Sequence, residues 1–119
     1  MKIAITSNGK GLDSQIDLRF GRTKGFIIYD LDTNDFDYID NVQNLEALQG
    51  AGIQAAQNII NKDVDILITG HCGPKAFKLL SNSSVKVYTA EVGKISEIID
   101  KFKNNKLTEA LSADVEGHW

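Results

Sequence analysis

Apolar positions along this chain fall into short β-branched runs and longer stripes of helical spacing. Ile3-Ala4-Ile5-Thr6 and Phe26-Ile27-Ile28-Tyr29-Asp30-Leu31 read as strands. After Asp32-Thr33-Asn34-Asp35, which is turn chemistry, the chain alternates strictly. Phe36, Tyr38 and Asp40 fall on one face and Asp35, Asp37 and Ile39 on the other, as in a hairpin whose second strand is a solvated edge. Ile53, Ala56 and Ile60, with Ala55 and Ile59 beside them, predict a helix from about Ala51 to Asn61. Val64-Asp65-Ile66-Leu67-Ile68-Thr69 is nearly continuous and β-branched, as a central parallel strand buried on both faces would be. Pro74 suits a first helical position, where its missing amide hydrogen is not needed, and Ala76, Phe77 and Leu80 carry a stripe onward to about Leu80. Val85, Val87 and Thr89 alternate with Lys86 and Tyr88 as a further strand. Ile95, Ile98, Ile99 and Phe102 mark a third helix, and Leu107 to Leu111 reads as a short fourth.

The order β-β-β-α-β-α-β-α describes a meander followed by right-handed crossovers. The simplest sheet has five strands in the order 3-2-1-4-5, with strand 2 antiparallel to the rest. In it the carboxyl ends of the first and fourth strands border a topological switch point, the usual ligand crevice of open α/β sheets. Two segments should meet there. One is the connection from Ser7 to Lys24, longer than the roughly 12 to 15 residues of an ordinary loop, which carries Asp13, Asp17, Arg19, Phe20, Gly21 and Arg22. The other is the turn Gly70-His71-Cys72-Gly73.

At 119 residues the chain fits a single domain over 1–119. Its formal charge of -3 provides no basic patch for a phosphate backbone, so nucleic acid is not expected. The opening residues enter a strand pattern at once rather than a signal-peptide pattern. No apolar run approaches the roughly 18 residues of a membrane helix. One cysteine argues against a disulfide scaffold, and a cytoplasmic protein without membrane association is expected.

That cysteine, Cys72, sits where strand gives way to helix, and amides and the dipole at a helix start favour a thiolate there. The competing reading is a small buried hydrophobe. His71 is a possible second metal ligand or a solvated loop histidine, and His118 in the tail is a third soft-metal candidate. One cysteine and two histidines fall short of the four ligands of a closed zinc or iron-sulfur site. Any metal site should therefore be open or shared. Gly50, Gly52, Gly70 and Gly73 can expose amides to an anion, and Arg19 and Arg22 around Phe20-Gly21 can add cationic contacts. Taken singly, each glycine is more often a turn requirement. Gly50-Ala51-Gly52 follows a loop rather than a strand, which does not support a dinucleotide fingerprint. The sheet order is that of ribonuclease-H-like nucleases, but Ile3-Ala4-Ile5 offers no acid for their metal ions.

Several of these stretches together resemble the dinitrogenase iron-molybdenum cofactor biosynthesis family. They are Lys2-Ile3-Ala4-Ile5, Arg19-Phe20-Gly21-Arg22, Gly50-Ala51-Gly52-Ile53-Gln54-Ala55-Ala56, Thr69-Gly70-His71-Cys72-Gly73-Pro74-Lys75-Ala76-Phe77 and Glu116-Gly117-His118-Trp119. The resemblance implies a three-layer α/β, ribonuclease-H-like fold without nuclease activity. It also implies a nitrogenase accessory role, as a non-enzymatic carrier of an iron-sulfur type cluster or an iron-molybdenum cofactor precursor. Cys72 would be a thiolate ligand assisted by His71 or His118, with metallocluster assembly proteins as partners and the chain a monomer or weak homodimer. The alternative from another class is a small-molecule anion-binding regulatory domain in which Cys72 is incidental.

Overall fold

The computed structural model describes residues 1–41 and 51–112. Along them run β1 (Lys2–Ser7), β2 (Gly25–Asp30), β3 (Phe36–Asp40), α1 (Ala51–Ile60), β4 (Ile66–Thr69), α2 (Pro74–Asn82), β5 (Lys86–Thr89), α3 (Ile95–Lys103) and β6 (Thr108–Glu109). They form one mixed sheet in the order β3-β2-β1-β4-β5-β6. β1 is antiparallel to β2 and parallel to β4, β4 is parallel to β5, and β3 forms the outer edge. The expected order therefore holds, with one strand more.

That extra strand corrects the expectation of a helix at Leu107–Leu111. β6 pairs antiparallel with β5, Tyr88 opposite Glu109 and Thr89 opposite Thr108, and the Ala110 amide donates to the Val87 carbonyl at 2.7 Å. Five residues cannot stabilise a helix by themselves. The open edge of β5 offers them backbone partners instead.

The period-2 pattern of the strands sorts the core into two layers. Ile3 and Ile5 of β1 and Ile66 and Ile68 of β4 face α3, where they pack with Ile27, Ile95, Ile98 and Ile99. Ala4 and Leu67 face the other way, against Ala55, Ala56 and Ile59 of α1 and Ala76 and Leu80 of α2. The small alanines let α1 lie close to the sheet. The isoleucines opposite supply bulk, each worth about 1.5–3 kcal/mol when fully buried. At the hairpin, Asn34 takes a φ of 64°, a left-handed conformation that asparagine tolerates, and its side chain accepts from the Tyr29 hydroxyl at 2.8 Å.

β4 runs into the turn before α2, and α1 runs back toward the start of β4. Both helices therefore begin at the carboxyl ends of β1 and β4, on the same face of the sheet. Among the described residues no helix is long and apolar enough to cross a membrane.

Candidate functional site

The long connection after β1 and the turn after β4 meet as a short parallel ladder. The His71 amide donates to the Leu18 carbonyl at 2.8 Å and the Phe20 amide to the His71 carbonyl at 3.2 Å. Close approach explains two of the glycines. A Cβ on Gly70 would lie 2.7 Å from Leu18 Cβ, and one on Gly21 would lie 2.8 Å from the amide nitrogen of Gly52 at the start of α1. The Arg19-Phe20-Gly21-Arg22 segment is thus lodged between the starts of α2 and α1.

Beneath it lies a seam of buried polar groups. Thr6, Ser7, Asp17, Thr23, Asn41 and Thr69 are all buried, and all sit at this end of the sheet or in the connections that cap it. The Thr6 hydroxyl donates to the Asp17 carbonyl and lies 3.0 Å from the Thr69 hydroxyl. The Thr23 hydroxyl lies 2.9 Å from the Gly25 carbonyl and 3.2 Å from that of Ser7. The Asn41 amide group donates to the Gly21 and Thr23 carbonyls at 3.3 and 3.1 Å. Such bonds satisfy buried backbone carbonyls that sheet and helix leave over. They also hold the irregular segment in one conformation.

The helix starts differ. At α3, the Ile95 and Ser96 amides donate to the Ser14 and Leu12 carbonyls, and the Glu97 carboxylate accepts from the Lys94 amide at 3.1 Å. At α2 the N-cap is Gly73, which provides no side-chain cap, and Pro74 follows it. α2 begins three residues after His71 of the ladder, so its first-turn amides and the positive end of its dipole lie at the same end of the sheet as Arg19, an arrangement that attracts anions. Arg19 has a side chain 55% exposed, with its Nε 3.5 Å from Asp17 Oδ1. Arg22 and His71 are half-buried.

Cys72 lies deeper than its glycine-rich surroundings suggest. It is 4% exposed and belongs to the apolar cluster of Ala4, Phe20, Phe26 and Ala76, with its thiol 3.7 Å from the Gly73 carbonyl. His71 is its neighbour in sequence. His118 and Gly50 lie outside the described residues. Among the described residues no three His, Cys, Asp or Glu side chains converge as a metal cage. The donors at this end of the sheet are the amides at the start of α2 and the Arg19 guanidinium, which suit an anionic surface. They do not build a closed metal centre.

Sequence reading singled out Arg19, Phe20, Gly21, Arg22, Gly52, Gly70, His71, Cys72 and Gly73, and the fold gathers these where the long connection meets the starts of α1 and α2, whereas the cavity lined by Leu31, Tyr88, Phe102 and Leu107 involves none of them. Phe20 is fully buried, so it is a packing anchor for the loop rather than an exposed contact. Asp17 was expected only as part of the loop that walls the site, and Thr6, Thr69 and Asn41 were not among the expected site residues. The alternation Ile16-Asp17-Leu18 inside a polar loop was the available signal that Asp17 is held in an extended, sheet-like segment.

A family model described as dinitrogenase iron-molybdenum cofactor matches residues 1–105. The chain belongs to that family. An uncharacterized protein of Methanocaldococcus jannaschii is 28% identical over 109 residues, covering 90% of this chain and 89% of its own. The apo form of the orange protein from Desulfovibrio gigas superimposes with a TM-score of 0.92 at 35% identity, over 96% of each chain. A Thermotoga protein provisionally named NifB gives 0.85 at 35% identity over 98% of each. The family match ends before β6 and the tail that carries His118.

Proposed function

We propose that the protein is a non-enzymatic carrier. It holds an anionic iron-sulfur type cluster, or a precursor of the iron-molybdenum cofactor, in the crevice and passes it to metallocluster assembly proteins. The observation that carries this reading is the lodging of Arg19-Phe20-Gly21-Arg22 between the starts of α1 and α2, with no side-chain cap on α2. Helix-start amides and two guanidiniums suit a surface of sulfides or oxyanions. His71 is the soft donor on the rim. Cys72 reaches a cluster only if the packing around Phe20 opens, which suits transient contact during loading or transfer. Family membership supports the cofactor pathway as the setting. The orange protein relative, described in an apo form, supports a ligand that is taken up and given back.

Anaerobic reconstitution with iron and sulfide, followed by absorption spectra, tests the reading. Wild type should take up a cluster, and the double variant Arg19→Ala, Arg22→Ala should hold it about tenfold less tightly, since two charge-assisted contacts are lost. No uptake by wild type, or equal uptake by the double variant, overturns the carrier. Cys72→Ala in the same experiment reports whether the thiolate takes part. The buried thiol favours one second reading, an anion-binding regulatory domain in which Cys72 only packs. Thermal shifts with nucleotides or phosphate but none with iron and sulfide would select it.

A further inference from the structure

Among the described residues Asp17 is the one charged side chain in the buried set. Its backbone is fixed at the end of β1: its amide donates to the Thr6 carbonyl at 3.0 Å and its carbonyl accepts from the Thr6 hydroxyl. Ser7 and Ile16 form an antiparallel bridge, which sets Asp17 opposite Thr6. Ile16 packs in the α3 layer, so Asp17, the next residue, is turned to the opposite face. That is the face on which α1 and α2 begin, and on which the Thr6 and Thr69 hydroxyls lie 3.0 Å apart.

The two carboxylate oxygens are treated unequally. Oδ1 accepts from the Arg19 amide at 3.0 Å and lies 3.5 Å from the Arg19 Nε. Oδ2 is buried and has no hydrogen-bond partner among the described residues. A buried charged oxygen without a donor is costly, and each such group calls for an explanation. The turn does not supply one, because asparagine or serine would also accept from the Arg19 amide.

We infer that Asp17 is the specificity-determining residue of the crevice: a fixed negative charge under the anion site that selects metal-bearing cargo against small, fully anionic ligands. The inference deepens the carrier reading and rests on it for where the cargo sits. Two effects act together. Asp17 shares the Arg19 guanidinium, so phosphate or sulfate at the start of α2 meets a partly neutralised cation. Its own charge, poorly screened by water at 6% side-chain exposure, repels them further. A metallocluster spreads its charge over many sulfides and offsets it with its own metal ions, so the same carboxylate opposes it less.

The experiment titrates the full chain with inorganic phosphate, following backbone amide NMR signals in wild type, Asp17→Asn and Asp17→Ser. Two variants are used so that a folding defect in one, detected by thermal unfolding, leaves the other to decide. Both should bind phosphate about tenfold more tightly than wild type, with shifts at Lys75 and Ala76. Their gain in affinity for a reconstituted iron-sulfide cluster should be smaller. Equal phosphate affinity in all three proteins, or no phosphate binding by either variant, overturns the inference. Cluster uptake by wild type with unchanged phosphate affinity in the variants would sink the filter alone. A phosphate gain in the variants, with no cluster uptake by wild type, would sink the carrier reading and leave the filter standing.

Discussion

The middle of the sheet and its crown are held together by different physics. In the middle, Ile3, Ile5, Ile27 and Ile68 are fully buried against Ile95 and its neighbours on α3, and the contact is apolar throughout. At the crown the buried residues are Thr6, Ser7, Asp17, Thr23, Asn41 and Thr69, and what joins them is hydrogen bonding, much of it from side chain to backbone. Apolar burial is non-directional and supplies most of the favourable free energy of folding. A hydrogen bond adds only about 0.5–1.5 kcal/mol net, but it fixes geometry and is expensive to leave half-made. The middle therefore supplies stability, and the crown holds an irregular loop in one shape at a modest energetic gain.

Substitutions that separate these roles should differ in size and in what they leave intact. The largest loss is expected from Ile68→Ala in β4, about 3–4 kcal/mol from lost burial and the cavity left behind. Denaturant unfolding would show it as a lower midpoint, while anion affinity of the molecules still folded should stay near wild type. Gly70→Ala strikes the crown. Its Cβ would meet Leu18 Cβ and Cα at 2.7 and 2.8 Å, so the ladder must shift, at about 1–3 kcal/mol. Here cluster or phosphate binding should weaken by more than the stability loss explains, and binding that survives unchanged would count against the ladder as the frame of the site. The smallest effect belongs to Tyr38 on the edge strand β3, paired opposite Ile27 at the border of the apolar middle. Burial, with the Asp40 carboxylate adding to it, pushes its phenol above the ordinary value of 10.0. A raised folded value means that the protonated form is favoured by folding, so the contribution is whole below about pH 10 and is lost as the pH rises through the folded value. Tyr38→Phe should flatten the alkaline limb of a stability-against-pH curve slightly and leave the neutral range alone.

How much of this could be read from residues alone depends on whether the cause is local. The β-branched run through Ile66-Leu67-Ile68-Thr69 and the stripe of Ile95, Ile98 and Ile99 announce their elements by periodicity, and the sheet order follows from how such elements connect. Pro74 marks the start of α2 to the residue. Thr108 and Glu109 carry no such signal. Two residues become a strand because β5 has an unpaired edge beside them, a fact about another part of the chain. The crown divides in the same way. Arg19, Gly21, Gly70 and His71 could be chosen for their chemistry and for the length of the loop that holds them.

The composition of the turn, polar and rich in glycine, suggests an accessible thiol at Cys72, but Phe20 arrives from fifty residues earlier and its cluster encloses the sulfur. Asp17 looks like one more loop carboxylate until the pairing of Ser7 with Ile16 turns it inward beside Thr6. By itself the sequence determined the family, every element along the described residues except β6, and the end of the sheet at which chemistry is expected, because periodicity, turn residues and connection rules act over short stretches. Only the tertiary structure decided which of those groups face a ligand and which face the core. Burial is a property of what packs on top of a residue, and that comes from elsewhere in the chain.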